Sequence, residues 1–471
     1  MPTRLAPLFF LISYGLLEVA VTLHAAKEHD TRIPSLLLFV AVAVSLAGVS
    51  LLVRRRPAGP SSPSPGEPRF DAPLLLFVLV FLAGLVTQLG AGIDIADRSP
   101  QLRRLATVGF YTAAAASLAY LWWCLPASVT ARRRFQPPTL ALALFLMGLA
   151  TAIKIAAIVY EVRPGIDVYA VLQDGAKALL SGLDPYATPS ADALRMGAQF
   201  GNAAPAYVYP PANLFLTTVA IKLSGDVRYL YIFSDLLAAV LLLALGRGAA
   251  VNGTRVRRYA ELAALLVVFH PRSFGKTWTE PLMLPMIFGL ALLATRRASM
   301  VAQAALAGLL LSMKQYLVFL APLVALHLRR PRYLAVLVAA TAITSVPFLL
   351  WHAGAYWDAM TAHSKSPFRA DSITLASFLH HELKLSSPAW LGLALASVAT
   401  ALACWLAPRR GLYGLLAWGG TIYLLLFFGS SYAFPNYYHF VMGLLLAATV
   451  VGLSGFDAPI VPVPVRATSE P

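Results

Sequence analysis

The side chains in this chain that can take part in a reaction gather in a few short stretches. The first is Gly165–Tyr186, which reads GIDVYAVLQDGAKALLSGLDPY. Val168, Val171, Leu172, Leu179 and Leu180 keep helical spacing, while Asp174 and Lys177 fall on the other face. The spacing predicts an amphipathic helix on a membrane surface, headed by Asp167 and stopped by Gly182. Asp167 is expected to cap this helix. A helix N-terminus also holds a carboxylate ionised and oriented, which suits a base that removes a hydroxyl proton. Downstream, Tyr207-Val208-Tyr209-Pro210-Pro211 opens a short apolar run, Pro211–Leu223, with proline where a helix start favours it.

Anions would be met by Lys276, Lys314, His363, Lys365 and Arg369, each of which also fits a solvated loop or an anchor to lipid head groups. Lys314 differs from the rest because it interrupts the apolar run Val301–Leu328, where an ionisable group needs a partner. A phosphate would serve as one. Three more ionisable residues, Glu18, Lys154 and Asp235, fall within apolar segments. Asp235 is expected to pair with a polar group or with Arg228, and Lys154 to snorkel toward an interface. His380-His381-Glu382 reads as solvated loop, since adjacent histidines diverge and no third ligand has a motif. Phe434-Pro435-Asn436-Tyr437-Tyr438-His439 reads as interface anchors, or as the lining of a groove for a lipid chain. Cys124 and Cys404 both lie in apolar segments without metal-ligand spacing around them, so neither a zinc site nor a disulfide framework is expected.

The elements that must position these residues are membrane helices. The 471 residues are 59% hydrophobic and 12% charged, with a mean hydropathy of +0.71, which excludes a soluble globular protein. The net charge of +16 does not indicate a nucleic-acid binder. The basic residues form short clusters between apolar runs, as cytoplasmic loops do. Crossings are expected near Leu8–Ala26, Ile33–Val53, Ala72–Ile93, Leu105–Leu125, Leu140–Tyr160, Tyr229–Gly246, Tyr259–Phe274 and Pro281–Thr295. Others follow near Val301–Met313, Tyr316–Leu328, Tyr333–Trp351, Ala389–Leu406, Gly411–Gly429 and His439–Leu453. That makes an all-α polytopic protein of about 13 to 15 membrane helices. Pro211–Leu223 is too short to cross and is expected to be interfacial or re-entrant.

With the N-terminus inside, Arg54–Arg56, Arg132–Arg134, Arg247/Arg255/Arg257/Arg258, Arg296-Arg297, Arg329-Arg330 and Arg409-Arg410 all become cytoplasmic. Two long outer segments result, Glu161–Arg228 and Trp351–Pro388. Residues 1–138 form a four-helix N-terminal region carrying a Pro/Ser-rich linker at 57–68, residues 139–456 the principal membrane region, and 457–471 a cytoplasmic tail.

The order of an Asp-headed interfacial helix, then Gly182-Leu183-Asp184-Pro185-Tyr186, then Tyr209-Pro210-Pro211, resembles the GT-C superfamily of membrane glycosyltransferases. Within it the pattern is most similar to the bacterial polyprenyl-phosphate-mannose-dependent mannosyltransferases, glycosyltransferase family 87. Ile232-Phe233-Ser234-Asp235-Leu236-Leu237, Met313-Lys314-Gln315, and His363 with Asp371–Leu375 add to the likeness, which runs over Leu140–Leu453. The glycolipid-anchor mannosyltransferase, a more distant look-alike, carries an Asp-X-Asp pair where this chain has Gly165-Ile166-Asp167. That departure favours a single carboxylate over a metal-binding pair. The resemblance implies transfer of a hexose, in particular mannose, from a polyprenyl-phosphate sugar to a glycolipid or glycan acceptor, with inversion. It implies a bacterial cytoplasmic membrane with the site on the periplasmic face, membrane lipids as surroundings, and no resident cofactor. Asp167 would be the base; Tyr169, Asp184 and Tyr209 would bind sugar hydroxyls or orient it. Lys314, Gln315, His363, Lys365, Arg369, Asn436 and Tyr437 would meet the donor, Lys314 and His363 foremost. The alternatives are a transporter or flippase of lipid-linked sugars, which would favour repeated halves and charges along a pathway, and an O-antigen polymerase or ligase. No Gly-rich phosphate loop supports direct use of a nucleotide sugar.

Overall fold

The computed structural model describes residues 5–26, 32–53, 76, 79–80, 139–160, 164, 166–199, 206–247, 253–268, 277–362, 368–406 and 411–453. The expected crossings Ala72–Ile93 and Leu105–Leu125, the linker and the tail lie outside the described residues, apart from positions 76, 79 and 80. Helices are the regular elements of the described part, with no strand among the described residues. Among the described residues six helices are long and apolar enough to cross a membrane: Ile33–Leu52, Leu140–Val159, Arg228–Arg247, Pro331–Thr361, Leu412–Gly429 and Pro435–Leu453. Shorter apolar helices occupy Ala6–Val21, Glu280–Thr295, Met300–Leu311, Gln315–Leu328 and Leu391–Leu406. The protein is an all-α, multi-pass membrane protein.

In chain order, α1 (Ala6–Ala26) and α2 (Arg32–Val53) form a hairpin, and α3 (Thr139–Tyr160) leads to α4 (Asp167–Leu180) and α5 (Ala191–Gln199). Next come α6 (Pro211–Ser224), α7 (Arg228–Arg247), α8 (Gly253–Val268), α9 (Leu284–Thr295), α10 (Met300–Leu311), α11 (Ala321–Leu328) and α12 (Pro331–Thr361). The short α13 (Leu375–Phe378) precedes α14 (Leu391–Leu406), α15 (Gly411–Gly429) and α16 (Pro435–Leu453). The N-terminal hairpin packs on the last two helices, α1 against α16 and α2 against α15. Hydroxyl contacts fasten this seam: Ser45 meets Thr421 at 2.9 Å, and Thr449 donates to the Pro7 carbonyl at 3.4 Å. Small and hydroxylated residues serve this purpose in membranes, where apolar burial does not separate protein from lipid.

α4 starts and stops where its sequence predicts. Its end is a Schellman turn, with Gly182 at φ +74°, Gly182 N–H bonded to Leu179 O at 3.1 Å and Leu183 N–H to Ala178 O at 2.9 Å. Two polar side chains of α4, Asp174 and Gln173, are held by neighbouring segments. Asp174 accepts from Ser190 at 2.6 Å, and Ser190 caps α5 by accepting from the Ala193 amide at 3.0 Å. Gln173 spans the turn after α6, donating to Gly225 O at 2.7 Å and accepting from the Val227 amide at 3.2 Å. Only Lys177 and Leu180 of α4 stay exposed.

α6 is 14 residues long, about 21 Å, short of the roughly 30 Å hydrocarbon layer. Phe215, Val219 and Leu223 form an exposed apolar stripe along it, while Ala212, Leu214 and Ile221 are buried against the protein. That partition suits a helix with one side in protein and the other in lipid. α4 and α6 approach through Gly175, where a Cβ would stand 2.4 Å from Cδ2 of Tyr207. The Tyr207 ring cannot yield, because its hydroxyl donates to Asn213 at 3.0 Å and the rings of Tyr186 and Tyr209 lie edge-on to it at 5.6 and 5.8 Å. Gly175→Ala is therefore expected to destabilise the protein by about 1–3 kcal/mol. Thermal unfolding in detergent measures this; an unchanged midpoint would mean the loop is softer than its contacts imply.

The run Val301–Leu328 breaks at Lys314-Gln315, as its polar pair predicts. Lys314 is extended (φ −156°, ψ 143°), followed by a 3-10 turn over Gln315–Leu320 before α11. Lys154 does not snorkel: it is buried and forms an ion pair with Asp235, joining α3 to α7. Asp235 thus has a bundle partner, and that partner is Lys154. Arg228 is engaged by Asp226 at 2.7 Å. In hydrocarbon neither ion is tolerable alone, and the pair resolves both.

Candidate functional site

Asp167 opens α4 at the first helical position; the preceding residue, Ile166, occupies the cap position in extended conformation (φ −135°, ψ 137°). The capping role expected of Asp167 is thus displaced by one residue. Its carboxylate accepts from the Val168 amide at 2.8 Å. The group is half-buried, and that burial pushes its carboxyl up from the ordinary value of 3.8. The Val168 amide, its own amide and the Arg369 guanidinium pull in the opposite direction. The outcome is a carboxylate with more proton affinity than a free one, within electrostatic reach of a guanidinium.

Arg369 comes from the loop before α13. Asp371 holds it through two hydrogen bonds, from Nε at 2.8 Å and Nη2 at 2.6 Å, and its Cζ lies 5.0 Å from the centre of the Phe434 ring. The loop itself is stitched to the start of α16. Ile373 N–H donates to Ala433 O at 2.9 Å, and the Tyr438 hydroxyl donates to Ile373 O at 2.5 Å.

Tyr209 connects this carboxylate to a second, deeper cluster. Burial first, then the charges of Asp167 and Glu280, push the Tyr209 hydroxyl up, so both acids lie within electrostatic reach of one phenol. The strand-like Tyr207–Pro210 segment carrying it is held on both sides. Tyr186 donates to Tyr209 O at 2.9 Å, and Gln315 Nε2 donates to Val208 O at 2.6 Å. The first turn of α6 is bonded to the same break as Gln315, through Ala212 N–H to Ser312 O at 3.1 Å.

At the centre of the deeper cluster is Lys314, buried and in an ion pair with Glu280. Its Nζ also donates to Thr279 Oγ1 at 2.7 Å. Three rings surround the ammonium, with centres at 5.3 Å for Tyr209, 5.4 Å for Tyr316 and 5.0 Å for Tyr437, all within cation–π range. Glu280 in turn accepts from the Tyr316 hydroxyl and from Asn436 Nδ2, each at 3.2 Å. The partner that an ionisable group needs at this depth is supplied within the protein by Glu280.

Of the residues singled out in the sequence, the structure brings Tyr209, Lys314, Gln315, Asn436 and Tyr437 together, with Asp167 and Arg369 within electrostatic reach of each other. Tyr169 and Asp184 have other work. The Tyr169 hydroxyl donates to Asp226 at 3.4 Å, and Arg228 lies over its ring at 5.5 Å. Asp184 shapes the turn after α4, accepting from the Tyr186 amide at 3.0 Å, and meets His352 Nδ1 at 3.7 Å where α12 is interrupted (φ −154°, ψ 82°). His363, Lys365 and Lys276 lie outside the described residues. His381 Nε2 donates to the Ala370 carbonyl at 2.9 Å. No three metal-type ligands converge among the described residues.

Sequence reasoning missed Glu280, Thr279 and Tyr316. The available signal was Glu280 itself: one of only 21 acidic residues, standing directly before the apolar run that Pro281 opens. No family model, curated protein or solved structure matches this chain. The site has to be read from its own chemistry.

Proposed function

We propose that the protein is a membrane glycosyltransferase that moves a hexose, in particular mannose, from a polyprenyl-phosphate donor to a glycolipid or glycan hydroxyl. The reading rests on one observation: a half-buried carboxylate, Asp167, whose carboxyl burial pushes up, within electrostatic reach of Arg369 and of Tyr209, a ring that also lies against the buried Lys314–Glu280 pair. In the reaction, Asp167 takes the proton of the acceptor hydroxyl as its oxygen attacks the anomeric carbon. The bond from that carbon to the phosphate oxygen breaks, and the phosphate departs with the electron pair. A phosphate needs no acid to leave, so one carboxylate suffices, and inversion follows from a single displacement. Arg369, within electrostatic reach of the base, can meet the developing phosphate charge. Lys314 has three ammonium protons, two of them taken by Thr279 and Glu280, which leaves one for an oxygen of the donor. Tyrosine rings suit the faces of a sugar and the first isoprene units of its carrier. The charge bias of the loops supports the periplasmic side of a bacterial cytoplasmic membrane for this site.

Purified protein in nanodiscs, given labelled polyprenyl-phosphate hexoses and membrane glycolipids, should produce a labelled acceptor. Failure with every donor, by folded protein, would reject the proposal. The rate should also fall as pH drops through the carboxyl pKa, because only the ionised form accepts a proton. The acid limb of kcat/KM against pH is expected to lie above 3.8, the ordinary value. A flat profile down to that pH would remove Asp167 from the role of base.

A transporter of lipid-linked sugars is the second reading, favoured by the Lys154–Asp235 pair buried among membrane helices. The same assay separates the two, since a transporter relocates the labelled lipid without forming a new glycosidic bond.

A further inference from the structure

α12 is longer than a crossing requires. About 20 helical residues cover the roughly 30 Å hydrocarbon layer, and α12 has 31. The helix breaks near where that length runs out. His352 is non-helical (φ −154°, ψ 82°), five residues beyond Pro347. Trp351 and Trp357 flank the break with exposed rings, as aromatic side chains do at a membrane boundary. Residues 353–361 form a second helical arm, and Arg369 follows eight residues after its end.

The junction of the two parts rests on the turn after α4. The buried Tyr186 ring meets Phe348, before the break, at 5.2 Å and Tyr356, after it, at 5.3 Å, both edge-on. The Tyr186 hydroxyl donates to Tyr209 O, so the junction is tied to the segment that carries Tyr209. A charged contact lies two residues away. Asp184 Oδ1 accepts from the Tyr186 amide at 3.0 Å, while Oδ2 is buried and accepts no hydrogen bond among the described residues. Nδ1 of His352 stands 3.7 Å from that oxygen, just beyond hydrogen-bond reach. The two side chains differ in exposure, 11% for Asp184 and 58% for His352. A buried carboxylate oxygen without a donor is costly. The group placed to supply a donor is an imidazole that water reaches, at the one residue where α12 leaves helical geometry.

We infer that Asp184 and His352 form a proton-operated latch on α12. The imidazolium of His352 is drawn onto Asp184 Oδ2 and fastens residues 353–361 to the turn after α4; the neutral imidazole lets them go. The latch is closed in acid and loosens as pH rises through the range in which histidine changes charge, about pH 5 to 8. The other titratable groups at the junction are the hydroxyls of Tyr186, Tyr207 and Tyr356, and burial pushes that of Tyr186 up. Asp358 stands six residues further along the arm. None of these is a residue type that changes charge across that range. The latch acts on the arm and does not depend on the function proposed for the site.

Hydrogen exchange of the full-length protein in nanodiscs reads the latch directly. Amides of residues 353–361 are expected to exchange about two- to five-fold more slowly at about pH 5.5 than at about pH 8, after correction for the intrinsic pH dependence of exchange, the size expected of a partly exposed ion pair. His352→Gln and Asp184→Asn should each abolish the difference and exchange at the faster rate at both values. Asparagine keeps an acceptor for the Tyr186 amide, and His352 is exposed, so the turn and the helix should persist in both variants. His352→Arg, charged at both values, should exchange at the slower rate at both. Equal or reversed protection in the unsubstituted protein, a surviving pH difference in His352→Gln or Asp184→Asn, or a pH-dependent rate in His352→Arg would each overturn the latch.

Discussion

Asp167→Asn is expected to lower sugar transfer by about 10²- to 10⁴-fold, the usual contribution of a positioned general base. The substitution keeps the shape of the side chain, and its amide oxygen can still accept from the Val168 N–H that Asp167 now engages at 2.8 Å. The start of α4 is therefore preserved. What disappears is the ability to accept a proton and the charge within electrostatic reach of Arg369. The loss should be in kcat and should not be rescued by raising donor concentration. Asp174→Asn provides the contrast: it lies on the same helix, bonded to Ser190, and is expected to leave transfer unchanged. Retained turnover by purified, folded Asp167→Asn would end the assignment.

The second large effect concerns Lys314 and Glu280, whose side chains are 3% and 0% exposed. Removing either partner strands the other as a buried ion, which costs about 3–5 kcal/mol. Lys314→Met and Glu280→Gln should each lower the unfolding temperature sharply. The double variant leaves no uncompensated charge and should regain most of the stability. Transfer should not return with it. If Lys314 also contacts the donor phosphate, the double variant binds the donor more weakly although it is folded. Normal donor saturation by that variant would assign the pair to scaffolding alone. Running the full cycle matters because a single Lys314 variant confounds folding with binding.

Local signals in the sequence were reliable where local physics decides. Asp167 and Gly182 bracket α4, Pro211 opens α6, and the Lys314-Gln315 pair marks a break in an apolar run. Each reflects a backbone preference that acts within one or two turns. Partners were less legible. Lys154 and Asp235 are 81 residues apart, and Lys314 and Glu280 are 34 apart, so no periodicity links them. Apolar burial gives little guidance in a membrane protein either, since lipid and protein interior are equally acceptable to leucine. Tyr169 and Asp184 have protein partners that chain proximity to Asp167 does not reveal, Asp226 for Tyr169 and His352 for Asp184. Asn436 and Tyr437, expected from the resemblance to meet the donor, reach Glu280 and Lys314 from the first turn of α16.

The walls of the site are mostly irregular backbone: the extended Lys314, the turn at Thr277–Glu280, the Tyr207–Pro210 segment and the loop before α16. Their carbonyls are bonded by helix and turn side chains, as Tyr231 does for Thr277 at 2.9 Å, Gln315 for Val208, Tyr186 for Tyr209 and Tyr438 for Ile373. At apolar depth such backbone persists only when every polar group has a mate. The ordinary division of labour, with regular elements supplying stiffness and connecting segments supplying adaptability, is thereby reversed in this region. Adaptation to a new substrate would have to come from exchanging rings, because the connecting segments are the parts least free to change.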